Sequence, residues 1–227
     1  PLLALTAAAS RTTAADMLHL LELPDAEGTV IKGSTQDRPE LSLSVHSVAV
    51  PQKHKGADTP ALKTDALTSL LRDSLPQILG PDAWPPAAGK TPPLVIFTMY
   101  ADSHGRNTLD HGVAPIKEAL LAEGLIPGQQ IEVYSSKVPH VCPRCRKPQY
   151  LRVSKTEYYC YTCREEFRQR PLPIKPDWPK VVRETQRAFK SDAVSLLVAT
   201  KGFGMGIDKR NIRAVVHYGF ASGLEGY

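Results

Sequence analysis

The feature that most constrains the fold is residues 196–213, LLVATKGFGMGIDKRNIR, in which an apolar run leads directly into closely spaced glycines. Residues 196–198 have the composition of a buried strand, and Val215-Val216 predicts a further strand just beyond the loop. In open α/β sheets, loops of this kind present backbone N–H groups to ligands beyond the carboxyl end of a strand. We therefore expect an α/β fold, with a mostly parallel sheet, helices on both faces and this loop at the carboxyl edge.

Two interpretations of the glycines remain open. A dinucleotide fingerprint would need a third glycine three residues after Gly204, and that position is Ile207. The spacing therefore excludes this fingerprint but not a ligand-binding loop of another kind. The simpler alternative is a tight turn in which a glycine supplies a positive φ.

Elsewhere, helical patterns alternate with short β-branched runs, as is typical of α/β proteins. We predict helices at residues 64–79, 108–123 and 181–190. Strands are predicted near six positions: Val30, Leu43, Val95, Ile131, Leu197 and Val215. No apolar run approaches the length of a membrane span and no signal peptide is visible, so we expect a cytoplasmic protein without a membrane partner.

All four cysteines form two C-x-x-C pairs, Cys142 with Cys145 and Cys160 with Cys163. Each such turn directs two thiolates to one point, and zinc takes four of them in a tetrahedron with Zn–S of about 2.3 Å. A redox dithiol is the alternative, but paired motifs at this spacing favour metal. Because four thiolates close the coordination sphere, we expect the Zn²⁺ to be structural, in a small zinc ribbon.

Residues 137–180, which include the cysteines, carry eleven Lys or Arg against four Asp or Glu, although the whole chain has a net charge of +5. Six aromatic residues are interleaved with these cations: Tyr150, Tyr158, Tyr159, Tyr161, Phe167 and Trp178. Cations beside flat aromatics suit phosphate contact and base stacking. We predict nucleic-acid contacts at Arg144, Arg146 and Lys147. Alternatively, the aromatics only cover the ribbon and the cations only solvate it.

The string VATKGFGMGIDKRNIR closely resembles motif V of RecQ-like superfamily 2 DNA helicases. In that family, motif V is a loop of the second RecA-like domain that contacts nucleic acid and nucleotide. The resemblance implies that Thr200 and Lys201 lie against the nucleic-acid backbone. It also implies that Gly206 and Asp208 face the ATP in the cleft between two RecA-like domains. An aspartate can accept a hydrogen bond from a ribose hydroxyl, and a glycine admits close backbone approach.

Three further segments resemble the same family. Residues 4–9, ALTAAA, are similar to motif III, usually ALTATA, and the resemblance implies that Thr6 couples nucleotide state to DNA grip. Residues 30–45 resemble the link into the second domain, with Glu40 in place of the usual asparagine. Residues 94–99 match the strand of motif IV in position and type.

The resemblance also implies how the chain is divided. Residues 1–29 would be a remnant of a preceding RecA-like domain, and residues 30–136 with 181–227 would form the second RecA-like domain. In the family, a short turn joins the strand at 130–134 to the following helix. Here residues 137–180 intervene, and we interpret them as an inserted zinc ribbon joined to the sheet only at its two chain ends.

The sequence contains no GxxxxGK[ST] phosphate loop, no DEAH-like box and no QxxGRxGR motif with arginine fingers, all of which belong to phosphoryl transfer. It also begins without Met and ends within a pattern. We therefore expect an inactive piece, without catalytic residues of its own, of an ATP-dependent helicase or translocase. The resemblance implies that the intact protein uses ATP and Mg²⁺, acts 3′-to-5′ on single-stranded DNA or a duplex junction, and includes the missing N-terminal RecA-like domain. The alternative is a non-catalytic module that binds nucleic acid or protein and carries a structural zinc ribbon.

Overall fold

The computed structural model describes residues 11–24, 29–31, 39–49, 59–80, 93–102, 112–148, 150–152, 155–160, 162–203 and 207–219. The chain divides into two compact units. The first consists of residues 1–47 with 220–227, and the second of residues 48–219. The domain boundaries predicted from the sequence differ from these units and stay predictions.

The first unit contains one helix in its described part, α1 (Arg11–Leu20). Residues 29–31 and 39–47 form neither helix nor strand, so the strands that we predicted near Val30 and Leu43 are wrong. The alternating pattern around Leu43 is that of a strand, but its side chain is 92% exposed. An alternating segment becomes a stable strand only when a neighbour satisfies its backbone and a core covers its apolar face.

The second unit contains one helical stretch, two further helices and nine short strands among its described residues. In chain order these are α2 (Thr59–Ser69), which continues through a π-helical segment (Leu70–Ser74) into α3 (Leu75–Leu79), β1 (Leu94–Thr98), α4 (Val113–Glu123), β2 (Ile131–Tyr134), β3 (His140–Val141), β4 (Tyr150–Arg152), β5 (Tyr158–Cys160), β6 (Glu165–Phe167), β7 (Leu172–Pro173), α5 (Trp178–Lys190), β8 (Leu196–Thr200) and β9 (Ala214–His217).

Four of these strands form one parallel sheet in the order β2-β8-β1-β9. The register is continuous across it, with Ile96 of β1 opposite Val198 on one side and Val216 on the other. This confirms the predicted parallel sheet and four of its six predicted strands. Since all four strands run the same way, their carboxyl ends meet at one edge.

Each face of the sheet is covered by helices, as predicted. On one face, Ile96 and Val198 pack with the apolar residues of α2, of the π-helical segment and of α4, including Leu71 and Ile116. On the other face, Val95, Leu197 and Ala199 pack against Phe189 of α5. The run of consecutive buried residues in β1 and β8 therefore reflects a sheet that is buried on both sides.

Helix α4 begins at Val113, later than predicted. Gly112 before it is extended, with φ −79° and ψ −178°, and residues 108–111 lie outside the described part of the chain. A Cβ atom at Gly112 would lie 2.5 Å from the carbonyl oxygen of Ala101. The chain can therefore turn back against the end of β1 only because this position has no side chain.

The inserted segment has two small antiparallel sheets. Strands β3 and β7 pair as a two-stranded stem, and β4, β5 and β6 form a three-stranded sheet beyond it. Between the two cysteine pairs, β4 and β5 form a hairpin, with Tyr150 opposite Cys160. It brings the second cysteine pair back towards the first.

Candidate functional site

The four cysteines of the insert converge on one point. The sulfur atoms of Cys142, Cys145, Cys160 and Cys163 all lie within 4.8 Å of one another. The Cys142–Cys163 sulfur distance is 3.9 Å and the Cys145–Cys160 distance is 3.5 Å, and none of the four is in a disulfide. A tetrahedron with metal–sulfur bonds of about 2.3 Å has edges of about 3.8 Å. The cluster therefore has the donors and the spacing to hold one metal ion.

Backbone hydrogen bonds shape the first cysteine turn. The amide of Arg146 donates to the carbonyl of Cys142 at 3.1 Å, and the amide of Cys142 donates to the carbonyl of Lys147 at 2.9 Å. These bonds close the turn, so that both thiols of the pair face inwards. The three strands β4, β5 and β6 have only three residues each, which leaves little apolar surface to hold the ribbon together.

The thiols influence one another's ionisation. Partial burial raises the pKa of Cys163 to about 12, together with the hydrogen bonds that its own thiol donates to the sulfur atoms of Cys160 and Cys142. Burial alone would also raise the pKa of Cys160, but hydrogen bonds from the amides of Cys163 and Thr162 and from neighbouring thiols outweigh it and lower that pKa. Cys160 therefore ionises more readily than Cys163, and four thiolates together need a positive charge at their centre.

The insert is fixed to the main sheet by more than its two chain ends, which corrects our expectation. Asp102, just beyond β1, accepts a hydrogen bond from the amide of His140 at 2.7 Å and lies 3.0 Å from the Nδ1 of the same histidine. Lys147 pairs with Glu118 of α4 at 2.6 Å. These contacts join residues 38 and 29 positions apart, which is why no local pattern predicted them.

The indole of Trp178 is buried at the C-terminal end of the insert, where α5 begins. This side chain is 3% exposed and donates from Nε1 to the carbonyl of Ser135 at 2.8 Å. Trp178 is therefore part of the core and not a base-stacking platform. Tyr158 and Phe167 stack on each other, with ring centroids 5.5 Å apart. Both of these rings are half-buried, and base stacking by them stays a prediction.

Two of the three predicted cations of the first knuckle are already paired. Arg144 forms an ion pair with Glu165 of β6, and Lys147 pairs with Glu118. Arg146 is exposed and has no carboxylate partner among the described residues. The structure therefore leaves Arg146 as the one of the three whose charge is not already neutralised.

The loop after β8 starts at the carboxyl edge of the main sheet. Thr200 ends β8 opposite Thr98 of β1 and is half-buried, whereas Lys201 begins a short 3₁₀ turn and is exposed. Phe203 is 3% exposed and packs against Tyr134 and Phe189, with ring centroids 5.0 and 5.4 Å away. This buried ring fixes the first half of the loop.

A second anchor, which sequence reasoning missed, fixes the other end of the loop. The side chain of Lys209 is 4% exposed, donates to Asp192 at 2.6 Å and lies 5.2 Å above the ring of Phe189. Asn211 also donates to Asp192, at 3.0 Å. The hydrogen bonds from Lys209 and Asn211 lower the pKa of Asp192. In the sequence, Lys209 resembles any surface lysine.

Asp208 lies between these anchors and is exposed. Within the described part of the chain it forms neither a hydrogen bond nor an ion pair, so no described contact gives it a structural role in the turn. Gly206 and Thr6 lie outside the described residues. Gly202 does not adopt a positive φ, and a Cβ there would meet nothing within 4 Å. A tight turn therefore does not explain the glycine at this position.

Comparisons with known proteins give several short matches to helicases. Over 48 residues, 21% of this chain, it is 44% identical to the ATP-dependent DNA helicase Q-like SIM of Arabidopsis thaliana. It is 50% identical over 44 residues to the ATP-dependent DNA helicase RecQ of Pasteurella multocida and 47% identical over 47 residues to that of Bacillus subtilis. The matches span 6%, 7% and 8% of the lengths of these relatives.

These matches confirm the resemblance to RecQ-type helicases over about a fifth of the chain. No family model and no solved structure matches the chain. None of the described helices is long and apolar enough to cross a membrane.

Proposed function

We propose that this chain is part of an ATP-dependent, RecQ-like DNA helicase and supplies its second RecA-like domain. The observation that carries the proposal is the loop after β8. It leaves the carboxyl edge of a parallel sheet, where such folds bind ligands, and both of its described ends are anchored. The short matches to named ATP-dependent DNA helicases support the same assignment.

The two ends of the loop have different roles in this proposal. Thr200 and Lys201 contact the phosphate backbone of DNA, because an exposed ammonium at the sheet edge can replace a counterion there. Asp208 and Gly206 face the ATP, whose phosphoryl transfer is carried out by Mg²⁺ and by groups from the rest of the helicase. Thr6 couples the nucleotide state of the helicase to its affinity for DNA. The pair Lys209–Asp192, in which the lysine side chain is buried, holds the two ends of the loop apart, so that each can act separately.

The four cysteines bind one Zn²⁺ in this proposal. The ion would be held by Cys142, Cys145, Cys160 and Cys163 and would have a structural role, since four thiolates leave no open position. It replaces the core that strands of three residues cannot form.

The different roles proposed for the two ends of the loop are tested with two variants of the intact protein. Lys201→Ala should weaken binding of single-stranded DNA and lower the slope of log K against log salt by about 0.7, the loss of one phosphate contact. Asp208→Ala should leave DNA affinity nearly unchanged and weaken ATP binding. Fluorescence anisotropy with labelled DNA at several salt concentrations and with a labelled ATP analogue measures both.

Lys190→Ala is the matched control for charge. The Lys190 side chain is exposed at the end of α5, and its contact with Lys209 is made by its backbone carbonyl, so the variant removes a charge without removing that contact. DNA binding should change much less in this variant. If Lys201→Ala and Asp208→Ala weaken the same ligand equally, the proposed division of roles is wrong.

A further inference from the structure

Two arginines occupy equivalent positions in the two cysteine turns. Arg146 follows Cys145 and Arg164 follows Cys163, so each comes directly after the second cysteine of its pair. Both have left-handed backbone conformations, with φ +61° at Arg146 and φ +55° at Arg164. Both are exposed. The two turns therefore present the same side chain in the same unusual conformation.

Glycine is the residue that this backbone conformation favours, because any Cβ atom crowds the following carbonyl. Among the described residues only four non-glycine positions have a positive φ, and two of them are these arginines. Strained positions of this kind commonly belong to binding sites. The turn itself needs the conformation, but it does not need an arginine.

The other knuckle cations serve the structure of the ribbon. Arg144 and Lys147 form ion pairs with Glu165 and Glu118. Arg146 and Arg164 have no carboxylate partner within the described residues, and guanidinium groups without internal partners are suited to bind an external anion. Of the four cations in the two turns, these two are the ones available to a ligand.

We infer that Arg146 and Arg164 form a paired anion site on the zinc ribbon that binds the phosphate backbone of single-stranded DNA. This inference rests on the proposed function, which supplies the DNA. The convergence of the four cysteines brings the two turns together, so two guanidinium groups, one on each turn, can contact two phosphates of one strand without reading its bases. The ribbon thereby adds a second, sequence-independent DNA contact to that of the loop after β8.

A different role for the same arginines must be separated experimentally. A divalent ion with four thiolates carries a net charge of about −2. The arginines could merely balance that charge, and removing them would then lower metal affinity. The DNA-binding role and the charge-balancing role predict different outcomes for zinc content.

The test is the double variant Arg146→Gly with Arg164→Gly. Glycine relieves the left-handed strain, so the melting temperature should stay equal or rise and one zinc per chain should be retained. Affinity for single-stranded oligothymidine at about 0.1 M salt should fall roughly 25-fold, and the salt slope should fall by about 1.4, because two phosphate contacts are lost.

The matched control is Arg168→Gln with Lys180→Gln, which removes the same charge from the insert. Arg168 pairs with Glu157 and Lys180 with Glu184, so DNA affinity should change by less than about threefold. A double glycine variant that binds DNA like the wild type overturns the inference and leaves the proposed function standing. Loss of zinc together with DNA binding overturns it in favour of charge balance. A wild-type protein that binds no DNA overturns both.

Discussion

Asp192 and Lys209 hold the far end of the loop after β8 through a short ion pair. Hydrogen bonds from Lys209 and Asn211 lower the pKa of Asp192 below its unfolded value, so the carboxylate stabilises the fold above the unfolded pKa. This stability is lost as the pH falls through the folded pKa. Lys209 is nearly buried, whereas the Asp192 side chain is 49% exposed, which limits the strength of the pair.

The first residue-scale prediction concerns this pair. Asp192→Asn should lower the free energy of unfolding at pH 7 by about 1 to 2 kcal/mol, because the Lys209 ammonium loses its carboxylate. The difference between wild type and variant should shrink below about pH 4, where Asp192 becomes protonated in the unfolded chain. Urea unfolding at pH 7 and pH 3 measures both values. A difference that does not change with pH would contradict the assigned role.

Gly112 gives a second residue-scale prediction, because a Cβ there would overlap the carbonyl of Ala101. Gly112→Ala should lower the free energy of unfolding by about 1 to 3 kcal/mol, since the chain at the end of β1 must move. Gly202→Ala is the matched control, with nothing within 4 Å of its Cβ, and should change stability by less than about 0.5 kcal/mol. Thermal unfolding of both variants measures the two changes in stability. Equal changes would contradict the steric role assigned to Gly112.

The ribbon is linked to two elements of the main domain. His140 binds Asp102 just beyond β1, and Lys147 pairs with Glu118 of α4. Cys145→Ala should remove the metal and unfold the ribbon, and the loss should extend to α4 at Glu118 and to the turn at Asp102. The centre of β8 should keep its protection. Hydrogen exchange measured by mass spectrometry with and without zinc tests this. Exchange that rises only within residues 137–180 would show that the ribbon is independent of the sheet.

At the scale of secondary structure, the sequence predicts those strands whose own residues form an apolar or β-branched run. Strands β1 and β8 were predicted because continuous apolar runs mark strands buried on both faces. Strands β2 and β9 were predicted from short β-branched runs, and only alternate residues of these strands are more deeply buried. The stem strands β3 and β7 have two residues each and leave no periodic pattern. The strand predicted near Leu43 failed for the opposite reason, since its alternating pattern is present but no described segment pairs with it.

Parts of the candidate site that depend on local sequence were predictable, whereas parts that depend on distant residues were not. The cysteine cluster follows from spacing alone, and its convergence is confirmed. The role of Lys209 depends on Asp192, which lies 17 residues earlier, and that of His140 depends on Asp102, 38 residues earlier. Contacts between segments of this separation are fixed by the sheet topology and leave no mark in the local sequence.

For the whole molecule, we propose two DNA contacts, one at the carboxyl edge of the sheet and one at the cysteine-rich ribbon, and a single ATP contact at the sheet edge. The insert is strongly basic, while the rest of the chain is slightly acidic. The DNA contacts that we propose are therefore electrostatic at the ribbon and at Lys201, and both should weaken with salt. ATP binding at Asp208 should depend much less on the salt concentration.

The most direct test of this account is ATP turnover by the intact protein, measured with and without single-stranded DNA. The account predicts that DNA stimulates turnover, because the loop after β8 contacts DNA at Lys201 and ATP at Asp208. It also predicts that stimulation declines with rising salt as DNA is released. Turnover that DNA does not change, or no turnover at all in an intact protein that binds DNA, would contradict the helicase assignment and favour a non-catalytic nucleic-acid-binding module.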